Sequence, residues 1–526
     1  MTKRISPLVG LALSTAWACG GGYSPQGGEH LWASDSTARF TSDSVGQRGR
    51  SDTGVSNAGQ QDSSQSDTAA GDMSRGSGQV DSGRTGGDLG DSGQISNGSD
   101  VGQGTCAPWI SVAKTWQVPN KIFDTMTWQW SPLSWITVDL DGDGKAELVQ
   151  TEDPGNKGHP YGSDATTPHW RVYRGQNDGF ASQPLLWTVP SKTFHAAYFH
   201  QGQYSWALLD LTADGRPDLV QTEDPDHKGH AFESPQGAYW RVYANTGSGF
   251  ATKAISWKVP SADFDAYAFA YGKWSWSTID LNGDGRMDLV HSENPNDKGQ
   301  AFIDPKGAFW RVYLGGGAGF AGQFTRWAVP TADHDALYAA VGKWGWSTVD
   351  ANGDGRPDLM HTEDPDNEGQ AFGGEQTPHW RLYTNQGSGF SSQAQQWKVP
   401  ASVFDSVALQ LKAFGWSTID LDRDGWVDLV HSEDPDNSGS AFVDSLGPHW
   451  RVYLGSSSGF TPSWTRWAVP RQDVDALWSY GDWGAWGVMD LDGDGCLDWV
   501  DTRDPQTKGS AYTDCDGAHW LVYTAP

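Results

Sequence analysis

The chain has 526 residues and a formal net charge of −29, with 30 tryptophans, 66 glycines and only 4 cysteines. No internal run approaches the roughly 20 apolar residues that a helix needs to span a bilayer. Such an acidic chain is repelled by phosphate backbones, which argues against nucleic acid as a partner, whereas it attracts cations.

The first segment, residues 1–18, has the pattern of an export signal, with two basic residues, the apolar run ISPLVGLALSTAWA and a small-x-small cleavage pattern. It resembles a bacterial lipoprotein signal, in which the cysteine after the cut is lipidated. Ala16 and Trp17 depart from that pattern, which prefers Leu and a small residue there. The resemblance implies lipidation of Cys19 and an outer-membrane or cell-surface location. Plain secretion is the alternative.

The next segment, residues 19–105, consists mostly of Gly, Ser, Asp, Gln and Thr. It has few apolar residues whose burial could offset the entropy of ordering the chain, so we expect a disordered tether. A tether of this length would hold the following domain well away from a membrane.

From residue 106 onward the sequence repeats. An acidic loop opens at intervals of 71 residues once and then 70 residues four times, which indicates stacked or radial repeats. The aspartates that open the loops are Asp139, Asp210, Asp280, Asp350, Asp420 and Asp490.

Each repeat contains four strand-like runs rich in β-branched and aromatic residues and bounded by Gly, Pro or Asp. In the third repeat these runs cover 274–280, 288–293, 309–315 and 324–330. Four short strands repeated six times predict an all-β fold, a six-bladed β-propeller spanning residues 106–526. The alternative is a solenoid, which would need atypical repeats at its ends.

The two ends of the repeat region complement each other. The last repeat stops after its third strand, and the missing W-x-V-P strand is found instead at 111–119, ahead of the first repeat. We therefore predict that this N-terminal strand completes the last blade and closes the ring. A closed ring leaves no free sheet edge and so removes an aggregation hazard.

The acidic loops follow the pattern D-x-[DN]-x-[DN]-G-x-x-[DE]. Side chains at positions 1, 3, 5 and 9 and the backbone carbonyl at position 7 offer oxygen ligands, and Gly at position 6 permits a sharp turn. A set of oxygen ligands favours Ca²⁺ over zinc or copper, and up to six ions are expected. The predicted ligands are Asp139, Asp141, Asp143, Lys145, Glu147, Asp210, Thr212, Asp214, Arg216, Asp218, Asp280, Asn282, Asp284, Arg286, Asp288, Asp350, Asn352, Asp354, Arg356, Asp358, Asp420, Asp422, Asp424, Trp426, Asp428, Asp490, Asp492, Asp494, Cys496 and Asp498. The second loop is the weakest because Thr212 occupies position 3.

These loops between strand-like flanks resemble the FG-GAP/VCBS-type repeats of bacterial surface proteins and of the integrin α-chain propeller. The resemblance covers 106–526 and is closest at AFGWSTIDLDRDGWVDLV, residues 413–430. Elsewhere the Phe-Gly of that family is replaced by W-x-W, and the loop between strands 2 and 3 is unusually long. The resemblance implies a calcium-bearing propeller used in adhesion or ligand binding, and it does not name the ligand.

Chain direction assigns the loops to two faces. The acidic loops and the short turns between strands 3 and 4 share one face, and the long 2–3 and 4–1 loops share the other, where binding of a ligand is expected. The 2–3 loop repeats an acidic pair, a Pro, a Gly and an aromatic residue. These residues either cap and plug the loop or form a sugar-binding shelf that is repeated around the ring. The candidates for this ligand face are Glu293, Phe302, Glu363, Asp364, Phe372, Glu433, Asp434 and Phe442.

Catalysis needs a unique set of side chains, whereas almost every polar residue here has counterparts in the other repeats. The G-x-S-x-G and H-E-x-x-H motifs are absent. The sequence therefore favours a monomeric module that binds a glycan or a protein over an enzyme. A polysaccharide-active hydrolase or lyase and a purely structural envelope component are the alternatives.

Three cysteines lie in the repeat region. An exported protein meets an oxidising environment, so one disulfide is expected among Cys106, Cys496 and Cys515. Face assignment favours a Cys106–Cys496 bond, because Cys515 lies in a loop of the other face. A Cys496–Cys515 bond is the competing pairing.

Overall fold

The computed structural model describes residues 106–109, 112–124, 135–162, 167–194, 206–265, 276–335, 345–367, 369–374, 377–405, 415–474, 486–507 and 509–525. The predicted export signal, Cys19 and the predicted tether lie outside these ranges. Regular structure within them is entirely β-strand, so the all-β prediction is confirmed. The described residues accordingly contain no helix with the length and apolar character that a membrane crossing needs.

The described strands form six sheets, one for each repeat, and each sheet has a core of four antiparallel strands in a β-propeller-like arrangement. We number the repeats as units 1 to 6. The first strands are Trp135–Val138, Trp206–Leu209, Trp276–Ile279, Trp346–Val349, Trp416–Ile419 and Trp486–Met489. The second strands are Glu147–Gln150, Asp218–Gln221, Asp288–His291, Asp358–His361, Asp428–His431 and Asp498–Asp501.

The third and fourth strands complete each core. The third strands are His169–Tyr173, Gly237–Tyr243, Gly307–Tyr313, His379–Tyr383, Gly447–Tyr453 and Gly517–Tyr523. The fourth strands are Leu185–Thr188, Ile255–Lys258, Thr325–Ala328, Gln395–Lys398, Thr465–Ala468 and, for unit 6, Lys114–Gln117.

Short additional strands were not predicted from the sequence. Within the 2–3 loop, four of them pair with the third strand: Phe232–Ser234, Phe302–Asp304, Phe442–Asp444 and Tyr512–Asp514. Within the 3–4 turn, Gly175–Gln176 pairs with Gly179–Phe180, and Gly315–Gly316 pairs with Gly319–Phe320. Part of the long 2–3 loop is therefore an ordered hairpin and not an irregular connection.

A pair of tryptophans joins the third and fourth strands of every sheet. In unit 3, for example, Trp310 lies opposite Trp327, and both indoles are almost completely buried. The same register in unit 6 places Trp520 opposite Trp116 of the N-terminal strand. The predicted pairing of the N-terminal strand with the last unit is thus present.

Neighbouring sheets meet where a fourth strand touches the 3–4 turn of the next unit. Lys258 of unit 2 pairs with Gly319 of unit 3, which has a φ of 141° and no room for a side chain, since a Cβ there would lie 2.5 Å from the Lys258 nitrogen. The next residue, Phe320, packs edge-on against Trp240 and Trp257 of unit 2. Equivalent glycine contacts join units 1 and 2, 3 and 4, 4 and 5, and 6 and 1.

The junction between units 5 and 6 is built differently, because the chain ends of the propeller domain meet in unit 6. There Trp109 packs edge-on against Trp450 and Trp467, the contact that phenylalanines make at the other junctions. The Trp109 Nε1 donates a hydrogen bond of 2.6 Å to the Leu497 carbonyl oxygen. A segment from before the first unit thereby fills the place of a 3–4 turn.

The disulfide lies at the same junction. Cys106 is bonded to Cys496, 390 residues away in the sequence, and Cys515 is free and exposed. The predicted pairing is therefore confirmed. The Cys106 amide also donates a 2.7 Å hydrogen bond to the Asp422 carbonyl oxygen of unit 5.

The assignment of loops to two faces is supported by hydrogen bonds. On one face, the Gly315 amide of a 3–4 turn donates to Asp288, the last residue of an acidic loop. On the other, the Ala301 amide of a 2–3 loop donates to the Ala332 carbonyl oxygen of a 4–1 loop. Loops that chain direction places together are therefore in contact.

Candidate functional site

Each acidic loop joins the first strand of its unit to the second. The loop begins one residue after the first strand ends, and its position 9 is the first residue of the second strand, as with Asp280 and Asp288 in unit 3. Position 6 is a glycine with positive φ in every loop, between 83° at Gly285 and 95° at Gly425. These loops are thus tight hairpin connections that only glycine accommodates at that turn.

Position 4 also adopts a positive φ. Glycine occupies it in four loops, whereas Ala213 at 58° and Arg423 at 61° occupy it in units 2 and 5. These two are the non-glycine residues with positive φ within the described part of the chain. The same backbone path therefore holds in loops whose sequences differ.

The aspartate at position 1 shapes the loop through its carboxylate. In unit 1, Asp139 Oδ1 accepts a hydrogen bond from the Gly142 amide at 2.8 Å and Asp139 Oδ2 accepts one from the Gly144 amide at 3.0 Å. In unit 6, Asp490 accepts the equivalent bonds from Gly493 and Gly495. Backbone amides thus fix the carboxylate at the centre of the loop.

The acidic residue at position 9 is fully buried in all six loops. In units 1, 2, 3, 5 and 6 one of its oxygens accepts from the amide at position 2, as Glu147 does from Leu140 at 2.8 Å, whereas Asp358 Oδ2 of unit 4 has no hydrogen-bond partner. In units 2 to 5 the other oxygen accepts from the 3–4 turn, as Asp218 does from the Asn245 amide at 2.9 Å. Glu147 Oε1 and Asp498 Oδ1 have no such partner, although both atoms are buried.

The pKa values of the buried carboxyl groups at position 9 are raised. Burial, together with the neighbouring aspartates, raises the pKa of Glu147 and of Asp498 to about 8. Burial likewise raises the pKa of Asp218 to about 6 and those of Asp288, Asp358 and Asp428 to about 7. A divalent cation among these oxygens would favour the ionised carboxylates.

Three loops bring carboxylate oxygens within 4.8 Å of one another among the described residues. The groups are Asp139, Asp141 and Glu147 in unit 1, Asp420, Asp422 and Asp428 in unit 5, and Asp490, Asp492 and Asp494 in unit 6. Buried carboxylate oxygens without hydrogen-bond partners occur in these loops at Asp141 Oδ1, Glu147 Oε1, Asp420 Oδ1 and Asp498 Oδ1, and in loop 4 at Asp358 Oδ2. A hard cation with oxygen ligands fits this donor set.

In loops 2 and 4 an arginine of the loop itself pairs with one of its aspartates. Arg216 contacts Asp214 at 2.6 Å and Arg356 contacts Asp354 at 2.8 Å, in each case from position 7 to position 5. Both of these loops, like loop 3, lack a carboxylate at position 3. The six loops are therefore alike in backbone but unequal in charge.

Neighbouring acidic loops touch around the propeller. A Cβ on Gly142 of loop 1 would lie 2.8 Å from Cγ of Arg216 in loop 2, and one on Gly493 of loop 6 would lie 2.7 Å from the Gly144 oxygen of loop 1. Arg423 of loop 5 donates a 2.6 Å hydrogen bond to the Asp494 carbonyl oxygen of loop 6. Each loop is thus positioned partly by its neighbours.

The acidic residues of the 2–3 loop shape that loop. Glu293, Glu363 and Glu433 are buried, and each accepts a hydrogen bond of 2.6–2.7 Å from the glycine amide six residues later. Asp364 and Asp434 each accept at 3.1 Å from the amide two residues later. These contacts favour the first of the two interpretations, in which the acidic residues cap the loop.

The aromatic residues of the same loop are also buried. Phe302, Phe372 and Phe442 each lie beneath an arginine of the third strand, with 3.8–3.9 Å between the ring centroid and Cζ of Arg311, Arg381 or Arg451. A ring covered in this way has no face left for a sugar. The exposed residues of the loop, such as Asp366 and Asp436, are the ones that reach solvent.

Sequence reasoning missed a row of histidine stacks. His291, His361 and His431 are buried. Each stacks on the tryptophan that begins the first strand of its unit, with ring centroids 3.4–3.7 Å apart. Burial lowers the pKa of each of these histidines to about 3, so they are neutral. The position is structural, and the stacked rings form part of the buried core.

Unit 6 departs from the repeat at this position. Asp501 replaces the histidine and accepts hydrogen bonds from Tyr512 at 2.6 Å and from Arg471 at 3.0 Å. The difference was visible in the sequence as an aspartate in place of His or Gln. Asp501 is only 1% exposed, so these hydrogen bonds lie in the interior of the unit.

Residues 210–291, which include the acidic loops of units 2 and 3, match the family model described as an FG-GAP-like repeat. The matched stretch runs from the first residue of one acidic loop to the last residue of the second strand of the next unit. No curated protein matches the chain.

The chain is also similar to several solved structures, at low sequence identity and low TM-score. A chain of the Photorhabdus luminescens Tc holotoxin pore matches 80% of this chain at 16% identity with a TM-score of 0.44, and this chain spans only 15% of that one. An Agrocybe aegerita lectin that specifically recognises non-reducing terminal N-acetylglucosamine matches 71% at 17% identity with a TM-score of 0.39, over 75% of its own length. The Vibrio cholerae biofilm matrix protein Bap1 matches 66% at 16% identity with a TM-score of 0.21, over 42% of its length. At these TM-scores the likeness gives no information on function.

Proposed function

We propose that this protein is an exported, calcium-bearing six-bladed β-propeller that acts as a binding or adhesion module. The observation that carries the proposal is the repeated acidic loop, in which buried carboxylate oxygens lack partners and lie close together. Lipidation of Cys19 would hold the module at the outer membrane or cell surface, and residues 19–105 would act as the tether.

A six-bladed closed ring is supported by the contacts between units. Each of the six sheets touches the next, and the N-terminal strand pairs with the last unit. Closure protects the backbone of Gly517–Tyr523, which would otherwise be a free sheet edge. A ring closed by its own first strand is complete as a monomer.

Calcium would serve as a structural ion in these loops. The side chains at positions 1, 3, 5 and 9 and the carbonyl at position 7 would hold it, and up to six ions would bind. Extracellular sites of this kind bind at about 10⁻⁴–10⁻³ M. Since binding favours the folded state, calcium should stabilise the domain by mass action.

The ligand would bind on the face formed by the 2–3 and 4–1 loops, opposite the calcium loops. The hydrogen bonds within the 2–3 loop hold its exposed tip on a rigid scaffold, which is where binding residues are commonly found. Asp366 and Asp436 are exposed there and can accept hydrogen bonds from sugar hydroxyls or from donors on a protein. A glycan or a protein is therefore the expected ligand class.

A glycan array with full-length protein, run with calcium and with EGTA, tests this function. Binding that requires calcium and that weakens in steps when Asp366 and Asp436 are changed to Ala, singly and together, would support it. Asp178→Ala, an exposed aspartate in the 3–4 turn of unit 1 on the opposite face, is the matched control and should leave binding unchanged. A thermal melt that is the same with calcium and with EGTA would contradict the calcium part of the proposal.

A further inference from the structure

The six acidic loops fall into two groups by charge. Loops 1, 5 and 6 have four carboxylates each, because position 3 is Asp141, Asp422 or Asp492. Loops 2, 3 and 4 have three, because position 3 is Thr212, Asn282 or Asn352. The number of charged ligands is one of the properties that set calcium affinity in oxygen sites.

Ion pairs increase the difference between the groups. In loops 2 and 4 the arginine at position 7 already neutralises the aspartate at position 5. In loops 5 and 6, position 7 is Trp426 or Cys496, which carries no positive charge. In loop 1, Arg174 contacts Asp141 at 3.0 Å and position 7 is Lys145, so loop 1 is the least acidic of its group.

The loops of the more acidic group are consecutive around the ring, in the order 5, 6, 1. Loops 5 and 6 adjoin the seam, which we define as residues 106–109 and 112–117 together with the strand Gly517–Tyr523. The arginine and glycine contacts between loops 5 and 6 and between loops 6 and 1 join the three loops to one another.

The seam is attached directly to two of these loops. The Cys106 amide donates to the carbonyl oxygen of Asp422, position 3 of loop 5. Cys106 is also bonded to Cys496, position 7 of loop 6. Trp109 Nε1 donates to the Leu497 carbonyl oxygen at position 8 of the same loop. The backbone that would surround an ion therefore also holds the N-terminal segment.

We propose that loops 5, 6 and 1 form a tight class of calcium sites, and that their occupancy holds the N-terminal segment in place and keeps the ring closed. This inference rests on the proposed calcium binding and adds the order in which the sites fill and what the first ions control. The N-terminal segment and the calcium ions contact the same loop backbone. Calcium binding therefore stabilises the bound segment, and the bound segment raises the calcium affinity by the same factor. Loops 2, 3 and 4 then fill at higher calcium concentration without effect on the seam.

A calcium titration of the full-length protein by calorimetry tests the two classes. We expect three sites that bind about tenfold or more tightly than the rest, in line with the dependence of affinity on ligand charge. Asp492→Asn should reduce the tight class to two. The reverse change in loop 3, Asn282→Asp, is the matched control. It adds a fourth carboxylate to loop 3 and should not reduce the number of tight sites in loops 5, 6 and 1. Six equivalent sites would overturn the proposal while leaving calcium binding intact.

The substitutions preserve the local turn. Asp492 Oδ1 accepts from the Asp494 amide at 3.3 Å, and Asn282 Oδ1 accepts from the Asp284 amide at 2.8 Å. Asn and Asp can therefore exchange at position 3 without loss of this hydrogen bond. The unmodified protein alone also gives the stoichiometry, so the test does not depend on a variant that folds.

Hydrogen exchange of Lys114–Gln117 tests the coupling to the seam. The exchange is measured with a thiol reductant present, so that the disulfide does not hold the segment. Protection should rise with calcium as the tight class fills, should require more calcium in Asp492→Asn, and should be unchanged in Asn282→Asp. Protection that follows the weak class, or that ignores calcium, would overturn the proposal. A complete absence of calcium binding would overturn both this inference and the proposed function.

Discussion

The indole of Trp109 lies edge-on against the indole of Trp450, with ring centroids 5.1 Å apart and ring planes at 83°. Trp450 belongs to unit 5, whereas Trp109 comes before Trp135–Val138, the first strand of unit 1. At the neighbouring junction, Phe460 makes the corresponding contact with Trp380 at 5.3 Å and 84°. The chain therefore completes its last junction with a residue that belongs to no repeat.

This contact predicts a graded response at Trp109. Trp109→Ala should destabilise the domain by about 3–5 kcal/mol, because it leaves a cavity between two buried indoles. Trp109→Phe should cost less, since phenylalanine occupies the same place at the other junctions. Denaturant unfolding of both variants checks the difference. Equal losses for Ala and Phe would mean that the hydrogen bond to Leu497, rather than the ring packing, is what the junction needs.

The disulfide should be readily detectable. Peptide mapping without reduction should recover a peptide that links Cys106 to Cys496, and Cys515 should react with an alkylating reagent in the folded protein. Cys106→Ser combined with Cys496→Ser should lower stability by about 2–5 kcal/mol, because the bond closes a very long loop in the unfolded chain. Cys515→Ser is the control and should have no effect. A linked Cys496–Cys515 peptide would contradict the structure.

Removal of residues 106–120 should open the last sheet. The truncated protein loses Trp116, which lies opposite Trp520, and exposes the backbone edge of Gly517–Tyr523. We expect aggregation or a much lower melting temperature. Size-exclusion chromatography with light scattering, followed by a thermal melt, would check this. A monodisperse truncation of unchanged stability would mean that the ring closes without the N-terminal strand.

The stacked histidines predict a sensitivity to acid. Burial lowers the pKa of His291, His361 and His431 to about 3, whereas in the unfolded chain each has a pKa near 6.5. The unfolded chain therefore binds more protons between these values, and the stability contributed by the neutral histidines is lost as pH falls from about 6.5 toward 3.

A matched substitution isolates this effect, since units 1 and 2 carry Gln150 and Gln221 at the same position. The triple variant His291→Gln, His361→Gln and His431→Gln should lose less stability on acidification than the unmodified protein. Denaturant melts at pH 7 and pH 4.5, at one fixed calcium concentration, give the comparison, because the carboxylates are common to both proteins. Parallel pH profiles would show that the histidines do not carry the acid sensitivity.

The sequence by itself determined the repeat and much of its consequence. The recurring strand pattern, the six acidic loops and the displaced W-x-V-P strand follow from local spacing, so the sheets and the pairing of Trp116 with Trp520 were predictable. Chain direction favoured the Cys106–Cys496 bond over the competing Cys496–Cys515 bond, because it determines which loops share a face.

The tertiary structure decided everything that depends on which side chains neighbour one another. Spacing could not show that Phe302 lies beneath Arg311, and so the choice between a capped loop and a sugar shelf stayed open until burial resolved it. It could not place Trp109 between units 5 and 6, because Trp109 lies outside the repeats whereas the corresponding phenylalanines lie within them. Nor could it show which loop oxygens lack partners, since the bonds from the 3–4 turn to position 9 join residues that are 27 positions apart, as in Asp288 and Gly315. Local spacing fixes the elements, whereas desolvation and packing between distant parts of the chain fix the chemistry of the site.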